Sequence, residues 1–171
     1  DCSLNSIAAL DVSKDTGLTE LYCNTNQLAV LDVQSNVALS KLNCSDNKIT
    51  SLDLSKNTVL TAIKCFKNNL TSLDLKNGNN TNLLSMYFGN LAQNPNLKCI
   101  QVDNATFCNA NWEAKDATAG YSTDCAALGN TYTTIPDSNF EDKLIALGID
   151  KDGKNGKVLT SSIFNIGTLD V

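Results

Sequence analysis

Cys2, Cys23, Cys44 and Cys65 stand 21 residues apart, a regular array of the side chain suited to metal binding, thiol redox chemistry and disulfide formation. If the chain coils once per period, neighbouring members satisfy the distance limit for a disulfide. A second array, Asp11, Asp32, Asp53 and Asp74, keeps the same period and could hold a row of calcium ions. Asp150 and Asp152 open a third candidate, Asp150-Lys151-Asp152-Gly153-Lys154-Asn155-Gly156, which begins like a calcium loop. Such a loop needs Gly at its sixth position and Glu at its twelfth, where this chain has Asn155 and Ser161.

Each chemistry competes with a structural reading. The cysteines occupy positions where the pattern demands an inward apolar residue, and buried Cys behaves as a small hydrophobe. Cys2, Cys23, Cys44 and Cys65 are therefore expected to be inert core thiols. The aspartates would repel one another, with Lys14, Lys56 and Lys76 nearby and turns to the backbone absorbing their oxygens. No further carboxylates flank them, which favours the structural reading over calcium. Asp152-Gly153 and Asn155-Gly156 are ordinary turn dipeptides, leaving weakly held calcium at Asp150 and Asp152 as the rival expectation and no other cofactor. The chain has no His, so a Ser or Cys nucleophile lacks its usual base, and no enzyme activity is expected.

The elements that must position these residues follow from the same period. Leu18-x-x-Leu21-x-Cys23-x-x-Asn26-x-Leu28-x-x-Leu31-Asp32-Val33-x-x-Asn36 recurs as Leu39, Leu42, Cys44, Asn47, Ile49, Leu52, Asp53, Leu54 and Asn57. A third copy runs through Leu60, Ile63, Cys65, Asn68, Leu70, Leu73, Asp74 and Leu75. A fixed period in this range with this pattern indicates a leucine-rich-repeat solenoid, mostly short parallel strands and loops. Alternation points Leu21 and Cys23 inward and Tyr22 and Asn24 outward. Asn26, Asn47 and Asn68 should stack at a turn, each amide pairing with free backbone groups. Asn77 to Asn82 is a polar insertion, after which Phe88 is expected on the cysteine rung.

This pattern resembles the 21-residue leucine-rich repeats of large surface and secreted proteins of Bacteroidetes, closely over residues 1 to about 85. The resemblance implies a solenoid over 1–98 and a C-terminal cap over 99–128. A linker over 129–133 follows, and 134–171 would form the N-terminal cap and first strand of a following unit. It also implies a disulfide between Cys99 and Cys125, with Cys108–Cys125 as the competing pair. Within 134–171 one short helix fits residues 138–147, with Ser138 and Glu141 as a capping box and Gly148 as its stop.

The outward strand positions would form a concave face, with Tyr22, Asn24, Asn43, Lys64, Phe66, Tyr87 and Gln101 as candidate ligand-binding residues. Solenoids bind through such faces, and polar groups around aromatic rings suit a protein anchor or a sugar. All 13 basic residues are Lys and the net charge is -5, which argues against nucleic acid. No apolar run is long enough for membrane insertion. The expected role is an extracellular, non-catalytic adhesion module for a protein or cell-surface partner. Polysaccharide binding beside an enzyme and a rigid spacer are the alternatives. Residues 134–171 are also expected to support head-to-tail self-association by covering an exposed coil edge.

Overall fold

The computed structural model describes residues 1–83, 91–112, 115–126, 132–150 and 154–159. They fall into two compact units, Asp1–Thr123 and Asp124–Val171.

The first unit is a leucine-rich-repeat solenoid with a sheet along each long side of its coils. On one side β1 (Glu20–Tyr22), β2 (Lys41–Asn43) and β4 (Ala62–Lys64) pair in parallel. Their register puts Leu21 beside Leu42 and Leu42 beside Ile63. On the other, β3 (Ser51–Asp53), β5 (Ser72–Asp74), β6 (Cys99–Gln101) and β7 (Gly120–Ser122) pair in parallel. There Leu52 lies beside Leu73, Leu73 beside Ile100, and Ile100 beside Tyr121. Both inward rows join one buried core with Cys23, Cys44 and Cys65. Three-residue strands have too little pairing to persist alone, so stacking must hold them.

Asparagine amides tie coil to coil at the turn. Asn68 Nδ2 donates to the carbonyl oxygens of Cys44 and Cys65, at 3.0 and 3.1 Å, while its Oδ1 accepts from Ile49 N–H at 3.0 Å. Asn47 and Asn26 repeat the arrangement one and two coils earlier. The residue before each of these asparagines has a left-handed backbone: Thr25 (φ 57), Asp46 (φ 53) and Lys67 (φ 51). Non-glycine residues rarely adopt it, so the ladder's bonds must offset the strain.

The same two markers relocate the rung after Cys65. Asn94 Nδ2 donates to Cys65 O and Leu91 O, both at 3.1 Å, and Asn94 Oδ1 accepts from Leu70 N–H at 3.1 Å. Gln93, just before it, has φ 61. Leu91, fully buried, therefore takes the cysteine position, and the expectation of Phe88 there is corrected; Phe88 itself lies outside the described residues. From Cys65 to Leu91 is 91 − 65 = 26 positions, five more than a regular coil. The 3-10 turn Asn80–Asn82 lies in the added length.

The solenoid stops where a carboxylate imitates the next coil. Within it, Thr25 N–H donates to Ser45 O and Asn26 N–H to Asp46 O. For the corresponding Gln93 and Asn94, Asp116 accepts both N–H groups instead, at 3.0 and 2.7 Å. Asp103 likewise accepts from Gly78 N–H at 2.9 Å, while its own N–H donates to Asn80 Oδ1 at 2.7 Å. Asp116→Ala should lower stability by about 2–3 kcal/mol, since two N–H donors lose a charged acceptor. Faster hydrogen exchange at Gln93 and Asn94 would report it.

Helix α1 (Ala105–Asn111), not expected from sequence, starts at Asn104, whose side chain accepts from Phe107 N–H. It precedes a buried aromatic pair, Trp112 edge-on to Tyr121 at 5.6 Å. In the second unit, β8 (Tyr132–Thr134) and β9 (Lys157–Leu159) pair antiparallel. Helix α2 (Ser138–Ala146) contributes Leu144 to a small core with Ile135 and Val158. Its N-cap is Asp137, which accepts from Asn139 N–H at 2.8 Å, so the Ser138–Glu141 capping box is corrected. Glu141 is buried and accepts from the N–H groups of Asn155 and Gly156.

Candidate functional site

The thiols come first because their chemistry would be the most consequential. Cys23, Cys44, Cys65 and Cys108 are free and have no exposed surface. Burial pushes Cys23, Cys65 and Cys108 up to about 12 and Cys44 well above its ordinary value. A thiol held protonated is neither nucleophile nor metal ligand. In the native protein a thiol reagent should readily label half-buried Cys2 and leave Cys23, Cys44, Cys65 and Cys108 unmodified until denaturant is added. Mass spectrometry of labelled peptides checks this. Cys99 and Cys125 are the disulfide-bonded cysteines, and Cys108 is free.

The aspartate ladder is satisfied locally. Asp11, Asp32, Asp53 and Asp74 each accept the N–H two residues on, at 2.8–3.0 Å. Gln34 Nε2 donates to Asp53 Oδ2 at 2.6 Å and Gln101 Nε2 to Asp74 Oδ2 at 2.7 Å. Glutamine amides thus quieten the last two rungs; among the described residues no ion pair joins Lys14, Lys56 or Lys76 to the ladder. No group of three or more His, Cys, Asp or Glu among the described residues is placed to hold a metal ion.

Burial, and then the neighbouring Asp53 charge, hold the Asp74 carboxyl above its ordinary value against its hydrogen bonds. The folded state therefore holds that proton more tightly than the unfolded state. Ionised Asp74 costs stability at neutral pH, and the cost vanishes as pH falls through the raised value. Because Asn does not titrate, the parent should gain stability on an Asp74→Asn variant as pH falls through that value, whatever the lost Gln101 bond costs the variant; denaturation midpoints across pH check this.

On the first sheet, register sets Tyr22 beside Asn43 and Asn43 beside Lys64, one row across three coils. Asn24, Ser45 and Phe66 follow two residues along the same coils. A polar network fixes this surface. Glu20 accepts from Lys41 Nζ at 2.8 Å and from Tyr22 Oη at 3.0 Å. The Lys41 bond, then the Tyr22 bond, hold the Glu20 carboxyl below its ordinary value. Asn43 Nδ2 donates to Asn24 Oδ1 at 2.9 Å, and buried Ser45 donates to Asn43 Oδ1 through both N–H and hydroxyl. Lys67 pairs with Asp46 at 3.3 Å and lies 6.0 Å from the Phe66 ring. Glu20, Lys41 and Ser45 hold outward positions that the alternation places on this face, whereas Asp46 and Lys67 were not among the sequence candidates. Their period-21 spacing carried a signal, their mutual bonds none.

No family model matches the chain, and none of the curated proteins matches it. Among solved structures, it is similar to the functional domain of InlJ from Listeria monocytogenes, described as including a cysteine ladder. Identity is 28%, the match covers 60% of this chain and 25% of that one, and the TM-score is 0.47. This chain thus matches about a quarter of that structure's length, and the fold assignment above rests on strand register and ladders alone.

Gln101 is a correction. It lies on β6 opposite Asp74, in the second sheet, not with Tyr22, Asn43 and Lys64. The 26-position step is the reason: strand 99–101 is the second half of the Leu91 coil rather than the first half of a new one. Tyr87 and Asp152 lie outside the described residues. Asp150 is buried in the second unit. In the same segment the N–H groups of Asn155 and Gly156 converge on Glu141, so these donors already have their anion. Among the described residues no helix is long and apolar enough to cross a membrane.

Proposed function

We propose that this solenoid is a non-catalytic recognition module that binds a protein or cell-surface partner through the outward face of its first sheet. The observation that carries the reading is the pre-organisation of that face. Its Glu20–Lys41–Tyr22 and Asn24–Asn43–Ser45 networks pin polar side chains to a rigid three-strand sheet beside the Tyr22 and Phe66 rings. Side chains already held in place lose little entropy on binding, and aromatic rings supply most of the anchoring energy in interfaces. Protonated buried thiols and a sequence without His support a role other than catalysis. Disulfide-bonded Cys99 and Cys125 support an oxidising, extracellular setting.

A second reading, polysaccharide binding, draws on the same amide network flanked by aromatic rings. Both are tested by presenting the module to immobilised surface proteins and polysaccharides, beside a Tyr22→Ala/Phe66→Ala variant. The proposal expects a protein ligand whose affinity falls at least about tenfold in the variant. A polysaccharide lost in the same way would favour the second reading, and a ligand bound equally by both chains would place recognition elsewhere.

A further inference from the structure

Within the reading of the first sheet as a binding face, we infer that its centre recognises carboxylates on an acidic segment of a protein partner. The argument is one of hydrogen-bond direction. Ser45 N–H can only donate, so the Asn43 atom 3.3 Å from it is the carbonyl oxygen. The other end of that amide, Nδ2, therefore faces Asn24, and the Asn24 atom 2.9 Å away must be its acceptor. Each amide oxygen in the strip thus accepts a bond from within it. What remains to donate is Asn24 Nδ2, the second hydrogen of Asn43 Nδ2, and next to them Lys64 Nζ.

Charge runs the same way. Of the acids on this side, Glu20 and Asp46 are neutralised by Lys41 and Lys67, and Asp1, one coil before Tyr22, has its carboxylate taken up by Ser3 N–H and hydroxyl. Lys64, exposed and beside Asn43 in the register, has no ion pair among the described residues. Asn24, Asn43 and Lys64 therefore form a donor strip across three adjacent coils, ending near the half-buried Phe66 ring.

A neutral sugar hydroxyl both donates and accepts, and gains only half its bonds on such a strip. A carboxylate only accepts, and matches it fully. The chain's net charge of -5 gives no long-range attraction to an acidic partner, so recognition rests on this local strip. An acidic protein segment also offers apolar side chains for Tyr22 and Phe66, which a polyuronate lacks.

The test is a titration of fluorescent poly-L-glutamate with the intact chain, beside poly-L-glutamine, polygalacturonate and dextran. Poly-L-glutamate should bind best, and more weakly as salt is raised. Lys64→Glu should weaken it at least about tenfold and Lys64→Arg should retain it, as expected for a charged contact. Lys14→Glu, with the same change in net charge, should stay within about twofold, as befits an exposed site away from the contact. Indifference to Lys64→Glu, or equal binding of poly-L-glutamine, would overturn the inference. Preference for polygalacturonate would overturn the protein source. A non-acidic protein partner sensitive to Tyr22→Ala/Phe66→Ala would leave the binding face standing while this inference fell. A ligand insensitive to every substitution on the face would remove both.

Discussion

Asn68→Asp should be among the most destabilising single substitutions in the chain, costing about 4 kcal/mol or more. Asn68 is 4% exposed and bridges two coils. Its Nδ2 serves the carbonyl oxygens of Cys44 and Cys65, and its Oδ1 serves Ile49 N–H. Aspartate has the same shape and keeps the acceptor. Its second oxygen, however, would face two carbonyl oxygens at about 3 Å with no proton between them, buried from water. Asn68→Ala removes the clash but leaves those backbone groups unpaired, at about 1–3 kcal/mol for each one that water cannot reach. The expected order is parent, then Ala, then Asp, with the Asp variant recovering partly in acid as its carboxyl is protonated. Denaturation curves at neutral and acidic pH check both. Equal stability of Asp and parent would mean the ladder contributes little.

Reducing the Cys99–Cys125 disulfide, or replacing both residues by Ser, should cost about 3–4 kcal/mol, the loop-entropy value for a closed segment of this length. The segment it closes includes α1, Asp116 and β7, the elements that cover the last coil. Loss should therefore appear first as faster exchange at Gln93 and Asn94, whose N–H groups depend on Asp116. Reduction that left both amides protected would separate the bridge from the cap.

What the sequence made legible was whatever obeyed the period. Cys23, Cys44 and Cys65, the Asn26–Asn47–Asn68 ladder and the row Tyr22, Asn43, Lys64 all recur at one spacing, and one geometric rule serves every coil. Legibility ended at residue 77. An insertion changes no local preference, so a step of 88 − 65 = 23 in place of 26 puts Phe88 on a rung that Leu91 fills and carries Gln101 to the wrong sheet. Only hydrogen bonds around Asn94 and the left-handed backbone of Gln93 locate the register again. Asp103 and Asp116 could not be foreseen, because a carboxylate that replaces a missing coil looks like any turn aspartate. The helix at 138–146 shows a smaller ambiguity. Asp137 and Ser138 are both good caps, and with Asp137 chosen, Glu141 is released to hold the Asn155–Gly156 turn.

The function of the face depends on that register, since it decides which side chains share a surface. A bulky residue on each sheet therefore makes the most direct test. Lys64→Trp blocks the first sheet, Ser72→Trp blocks the second, and both positions are exposed strand residues that leave the core intact. With a partner found by the binding screen, affinity should fall at least about tenfold for Lys64→Trp and change little for Ser72→Trp. The reverse pattern would contradict the account and move recognition to the second sheet.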